Sequence, residues 1–113
     1  MTDKIVVFST CVSAEEAEKL ARLVVERRLA ACASVVPNVR SYYRWQGAIE
    51  TAGECLLVIK SAREQFAGLC ATLERAHSYE VPEVLAVPVV AGSAPYLAWL
   101  EAGLGGGPED DSQ

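Results

Sequence analysis

Lys4-Ile-Val-Val-Phe-Ser-Thr10 followed by Ser13-Ala-Glu-Glu16 decides the fold, because the arrangement returns as Glu54-Cys-Leu-Leu-Val-Ile-Lys60 followed by Ser61-Ala-Arg-Glu64. Each apolar, β-branched run has the length of a buried strand. Each Ser-x-x-Glu fits a capping box, in which a hydroxyl and a carboxylate satisfy the free backbone donors of a helix start. After the first box, Ala17, Leu20, Ala21, Val24 and Val25 recur at helical spacing opposite Glu18, Lys19, Arg22 and Glu26, predicting a helix that ends near Leu29. After the second, Phe66, Leu69, Cys70, Leu73 and Ala76 form another apolar stripe.

The remaining segments complete the pattern. Ala31 to Trp45 reads as extended with an interruption at Pro37, Gln46-Gly47 as a turn, and Ala48 to Lys60 as the returning strand. Glu83-Val-Leu-Ala-Val-Pro-Val89 is a fourth strand, with Pro88 marking an edge or an irregularity. Ser93-Ala-Pro-Tyr96 opens a last helix carrying Leu97, Trp99 and Leu100, which Gly105-Gly-Gly107 stops. Two strand–box–helix–strand halves about 48 residues apart describe an α+β, ferredoxin-like βαββαβ sandwich with both helices on one face of an antiparallel sheet. The expected domain spans 1–104; residues 105–113, Gly-rich and then acidic, are expected to be a disordered tail.

Composition narrows the function classes. Hydrophobic residues make up 51% of the 113 residues and charged residues 22%, which supplies a real core and excludes global disorder. The net charge of -5 argues against a nucleic-acid binder, which would show a basic face. No apolar run reaches membrane-spanning length and Met1-Thr-Asp-Lys leads straight into a strand, so a cytoplasmic protein is expected. Cys11, Cys32, Cys55 and Cys70 contain no Cys-x-x-Cys pair, and in a reducing compartment they read chiefly as buried thiols.

The central hairpin is too long for one subunit. Fifteen extended residues from Ala31 to Trp45 reach roughly 50 Å, whereas a helix of about fifteen residues covers only about 22 Å. The projecting part, Val39-Arg-Ser-Tyr-Tyr-Arg-Trp45, carries Val39, Tyr43 and Trp45 on one pleat face and Arg40, Tyr42 and Arg44 on the other. Cys55, Leu57 and Ile59 alternate with Leu56 and Val58, so both faces of the returning strand are apolar while helices cover only one. A homo-oligomer with Tyr43 and Trp45 at the subunit interface follows; the alternative is a hairpin bent back over its own sheet.

His77 is the only histidine, and His77-Ser-Tyr-Glu-Val-Pro-Glu83 gathers an imidazole, a phenol and two carboxylates on one loop. These donors suit copper, zinc or nickel. The competing reading makes His77 a helix-terminal residue facing the dipole and Glu83 a solvent-facing strand residue. Cys32 begins a strand and Lys60 ends one, so either could face a cleft. No Gly-x-Ser-x-Gly, His-Glu-x-x-His or phosphate-cradling glycine loop occurs, and no enzyme is expected.

Leu29-Ala-Ala-Cys-Ala33, Ser41-Tyr-Tyr-Arg-Trp-Gln-Gly47, Glu54-Cys-Leu-Leu-Val-Ile-Lys60, His77-Ser-Tyr-Glu-Val-Pro-Glu83 and Tyr96-Leu-Ala-Trp99, in this order, resemble the CutA family of divalent cation tolerance proteins over about Lys4 to Leu104. The resemblance implies a trimer, similar in architecture to the PII signalling proteins, and an association with copper and other divalent ions through a cysteine, a histidine and a glutamate. On this chain it points to His77, Glu83 and Cys32. Ser78 replaces the usual proline after the histidine, Ser9 stands where some members carry a cysteine, and Ala76 where some carry a second histidine. The first expectation is therefore a cytoplasmic trimer binding a divalent metal, copper foremost. The second is a metabolite sensor with Lys60 and Tyr79 lining an intersubunit cleft with Glu83; the third is a scaffold docking partner proteins through its hairpin ends.

Overall fold

A computed structural model describes residues 1–105. The described chain runs β1 (Lys4–Cys11), α1 (Ala14–Glu26), β2 (Cys32–Trp45), β3 (Ala48–Ala62), a 3₁₀ turn (Arg63–Gln65), α2 (Phe66–Ala76), β4 (Leu85–Pro88) and α3 (Ala94–Gly103). The four strands form one antiparallel sheet in the order β2-β3-β1-β4. This is the expected α+β arrangement with an added C-terminal helix. The Gly-rich and acidic stretch expected as a disordered tail lies, beyond Gly105, outside the described residues.

The β1–β3 ladder sets which side chains go inside. It runs from Lys4 opposite Ala62 to Cys11 opposite Cys55 without a shift. Strand periodicity then sends Ile5, Val7, Ser9 and Cys11, with Cys55, Leu57, Ile59 and Ser61, to one face. There they pack under Ala17, Leu20 and Val24 of α1 and Leu69 and Leu73 of α2 as one buried core. The opposite face carries Val6, Phe8 and Thr10 beside Lys60, Val58 and Leu56; α3 packs only on its Lys4–Ala62 end, so these residues stay half-buried on the helix-free remainder of the face. Residues Val84 and Leu29 close the margins of the core.

The hairpin projects as its length demands, and the molecule measures 49 Å along its longest axis. Its turn is Gln46-Gly47, both at positive φ (50° and 83°), between the pair Trp45–Ala48. That is the two-residue turn whose twist matches paired strands. Pro37 marks a bulge: the register advances three residues on β2, from Val36 to Val39, against two on β3, from Leu56 to Glu54. Asn38 takes the left-handed conformation there at φ 62°. One extra residue switches the parity of β2. Val39, Ser41, Tyr43 and Trp45 thus continue the helix-free face, and Tyr43 and Trp45 remain 45% and 61% exposed.

Three expectations need correction. Ser61-Ala-Arg-Glu64 does not form a capping box. Ser61 is still in β3, opposite Ile5 and fully buried, and its hydroxyl donates to the Leu29 carbonyl at 2.6 Å. The hydroxyl closes the exit of α1 instead of the entry to α2, which starts through the 3₁₀ turn with no side-chain cap. The first helix also ends at Glu26, three residues before Leu29, because Arg28 turns left-handed at φ 57° and both Leu29 and Ala30 N–H groups fold back on the Val24 carbonyl. The fourth strand covers only Leu85–Pro88, at the sheet edge where a proline without an N–H is tolerated.

The caps at Ser13 and Ser93 form as read. Ser13 Oγ accepts from Glu16 N–H at 3.2 Å and Ser93 Oγ from Tyr96 N–H at 3.4 Å. The Glu16 carboxylate reaches back to Val12 N–H at 3.4 Å and across to Ser78 N–H at 2.8 Å, tying α1 to the loop after α2. At the other end, buried Lys4 pairs with Asp3 at 2.7 Å and with Glu101 of α3. Burial pulls the Lys4 pKa down, but the two carboxylates outweigh it and the ammonium sits above its ordinary value. Ala62, Leu100 and Leu104 form a second small core beneath α3.

Two stability effects follow. Ser9 is fully buried and its hydroxyl has no hydrogen-bond partner among the described residues. An unpaired buried hydroxyl costs about 1 kcal/mol or more, so Ser9→Ala raises the urea midpoint, whereas Leu57→Ala from the same face loses about 2–5 kcal/mol. For Glu16, burial raises the pKa, but hydrogen bonds from Ser78 and Val12 outweigh it, and the net shift is downward. A folded-state pKa below the unfolded one gives stabilisation that is complete above about pH 4.3 and lost as pH falls through the folded value. Glu16→Gln therefore costs about 1 kcal/mol at pH 7 and the gap to the parent closes below pH 4; a gap independent of pH denies the carboxylate that role.

Candidate metal site

Connectivity alone gathers three elements at one end of the sheet. β1 ends at Cys11 and α1 starts three residues later, at Ala14, so the first turn of α1 lies beside the strand end. α1 runs back, the β2–β3 hairpin returns the chain to the opposite end, and α2 climbs again to finish at Ala76. Cys11, Glu16 and His77 are the last strand residue, a first-turn helix residue and a helix C-cap, respectively. Their ligand atoms all lie within 4.8 Å of one another, with Cys11 and His77 buried and Glu16 half-buried. Among the described residues this is the one group of three or more such donors at that separation.

Each donor already has a partner. His77 Nε2 is 2.8 Å from the Thr10 carbonyl, and Nδ1 accepts from Tyr79 N–H at 3.0 Å. Two such partners, one acceptor and one donor, place the proton of the neutral ring on Nε2. Glu16 uses one oxygen for Val12 and the other for Ser78. Burial first, and then the negative charges of Glu16, Cys55 and Glu54, push the Cys11 thiol up to about 12. The Tyr79 ring lies 4.8 Å from the imidazole, centroid to centroid, and its hydroxyl donates to Glu54 at 2.6 Å. Burial and that carboxylate hold the phenol above its ordinary value.

Thiolate, imidazole and carboxylate are the donor set of a borderline divalent ion such as zinc or copper, so the residue types fit. An ion held here would take the Cys11 sulfur as thiolate, with release of its proton, and would displace one of the two hydrogen bonds of His77. Glu16 can ligate while staying anchored through its second oxygen.

The single chain does not assemble the set expected from sequence. His77 belongs to the group, but Glu83 is exposed in the segment before β4 and lies outside it. Cys32 is half-buried opposite Lys60, which faces Val6 in turn, so both stand on the helix-free face four β1 residues from Thr10. At about 3.3 Å per residue that is about 13 Å along the strand. Tyr79 is bonded to Glu54, at the root of the projecting hairpin, and not paired with Lys60. Two clefts of about 270 and 290 Å³, around Phe66 and around Trp99, contain none of Lys60, Tyr79 or Glu83.

Cys11 and Glu16 escaped the sequence reading because each had a sufficient explanation there, as a buried thiol and as a cap. The available signal was topological: in a βαββαβ chain the end of the first strand, the start of the first helix and the end of the second helix share one edge.

A family model described as CutA1 divalent ion tolerance protein matches residues 5–103. A divalent-cation tolerance protein CutA from Thermus thermophilus is 41% identical over 100 residues, covering 88% of this chain and 97% of that protein. Human Protein CutA is 43% identical over 93 residues, 82% of this chain but 52% of the relative, so the chain spans about half the length of such relatives. The crystal structure of CutA from Xylella fastidiosa superposes with a TM-score of 0.89 at 39% identity, over 91% of this chain and 99% of that one. With nearly the whole described fold matched in sequence and in structure, the chain belongs to the CutA1 divalent ion tolerance family.

Proposed function

We propose that this protein is a binding protein, not an enzyme, that holds a divalent transition-metal ion, copper foremost, and thereby contributes to divalent cation tolerance. The observation that carries this reading is the convergence of a thiol, an imidazole and a carboxylate within 4.8 Å. The mixed soft and borderline donors favour copper or zinc over magnesium or calcium, which take oxygen ligands. Cys11, Glu16 and His77 are the ligands of one subunit in this proposal. Glu83 and Cys32 are exposed or half-buried, and in an assembly they can add donors across a subunit boundary.

The proposed assembly is a homotrimer. Its support is a helix-free sheet face carrying Phe8, Leu56 and Val58, extended by Tyr43 and Trp45 on the hairpin. An isolated sheet with one apolar face open buries too little surface, and aromatic residues on such a face suit a subunit interface. The four cysteines are free thiols, as a reducing compartment maintains them, and the proposed location is the cytoplasm. No helix of the described residues is long and apolar enough to cross a membrane. Nothing in the described residues favours the metabolite-sensor or scaffold alternatives.

Equilibrium titration with copper and zinc at pH 6, 7 and 8 tests the site. Expected are saturation near one ion per chain, an affinity that rises with pH as one thiol proton is released, and a loss of at least about tenfold in His77→Ala and in Cys11→Ser. Cys32→Ser and Glu83→Gln separate ligation across subunits from ligation within one. Weak, pH-independent binding that survives both His77→Ala and Cys11→Ser refutes the site. Light scattering of the purified protein tests the assembly: the expected mass is three chains, reduced by Trp45→Asp, and a monomer overturns it.

A further inference from the structure

Cys11 and Cys55 stand directly opposite each other in the β1–β3 ladder. Both side chains enter the helix-covered core, and both are free thiols. Directly opposed residues of an antiparallel pair have Cα atoms about 4.5 or about 5.5 Å apart, according to whether they exchange hydrogen bonds. Either separation lies inside the range of about 4.4–6.8 Å that a disulfide spans. The other two cysteines have no such partner: Cys32 faces Lys60, and Cys70 lies on α2. Cys11 is also the only sulfur in the group with Glu16 and His77. One sulfur therefore has two competing uses.

We propose that Cys11 and Cys55 form a reversible cross-strand disulfide that removes the sulfur ligand, so that cation binding requires the reduced protein. The proposal rests on reading Cys11, Glu16 and His77 as a metal site. The oxidant class is a small peroxide. Cys55 is 6% exposed and Cys11 fully buried, so Cys55 is the thiol that solvent reaches first. Its sulfur, as thiolate, attacks one oxygen of hydrogen peroxide; the O–O bond breaks, hydroxide leaves, and Cys55 becomes a sulfenic acid. The Cys11 sulfur then attacks the Cys55 sulfur, the S–S bond forms, the S–O bond breaks, and the departing hydroxide leaves as water with the Cys11 proton. Two thiols and one peroxide yield one disulfide and two waters. A disulfide sulfur carries no charge and is no longer a thiolate ligand, which leaves Glu16 and His77 as the only members of the group. A dithiol reductant restores the site by exchange.

The test uses metal-free protein treated with hydrogen peroxide, digested and analysed by mass spectrometry, with zinc as a redox-inert probe of the site. Expected is a linked peptide pair containing Cys11 and Cys55, 2 Da lighter than its reduced halves. Dithiothreitol should reverse it. Zinc affinity, read by competition with a chromogenic chelator, should fall at least tenfold on oxidation and recover on reduction. Cys55→Ala should keep zinc binding and lose both the cross-link and the peroxide sensitivity. Overoxidised cysteines without the link, or an unchanged zinc affinity in cross-linked wild-type protein, overturn the proposal without any variant. A cross-link in a protein whose reduced form binds no zinc overturns the metal reading and the regulatory role with it; zinc binding without a cross-link overturns the redox proposal alone.

Discussion

The uninterrupted pairing of β1 with β3 is the constraint on which the rest of the structure depends. Because side chains alternate along a strand, one register assigns Val7, Leu57 and Ile59 to the helices and Phe8, Leu56 and Val58 to the open face. A slip of one residue would exchange the two sets and expose the core. The same register places Cys11 at the last rung, against Cys55, at the edge where α1 begins and α2 ends. Core, candidate site and thiol pair are thus consequences of a single alignment of two strands.

The site is poised and already satisfied. His77 holds Thr10 and Tyr79, Glu16 holds Val12 and Ser78, and Cys11 keeps its proton in a buried, negatively charged setting. Such an arrangement stabilises the fold in the absence of any ion, since His77–Thr10 ties β1, and Ser78–Glu16 ties α1, to the end of α2 and the loop after it. It also means that an ion competes with hydrogen bonds and with a proton, which makes affinity depend on pH and on the redox state of the thiol. The structural role and the proposed metal-binding role share the same atoms, His77 at its helix end among them.

The hairpin has a separate logic. Beyond the last rung of β1, residues 48–54 of β3 pair only with β2. Most of that projection is exposed, Trp45 and Tyr42 among it. The one-residue bulge at Pro37 and Asn38 aligns Tyr43 and Trp45 with the helix-free face of the body, so a continuous surface runs from Phe8 to the tip. Glu54, at the root, is held by Tyr79 and connects that surface to the loop bearing His77.

Local signals in the sequence determined the element order, the caps at Ser13 and Ser93, the Gln46-Gly47 turn and the apolar stripes of the helices, because each depends on spacing within a few residues. They misassigned Ser61, whose hydroxyl serves the carbonyl of Leu29, thirty-two positions away. A Ser-x-x-Glu pattern cannot report whether its strand has ended. Of the candidate ligands, His77 was legible as the only histidine, while Cys11 and Glu16 were hidden behind ordinary structural roles. Only the tertiary structure decided which donors meet and which cysteines face each other. Those relations join residues 44 and 61 positions apart in the chain, and the register and the path of α2, not any local pattern, bring them together.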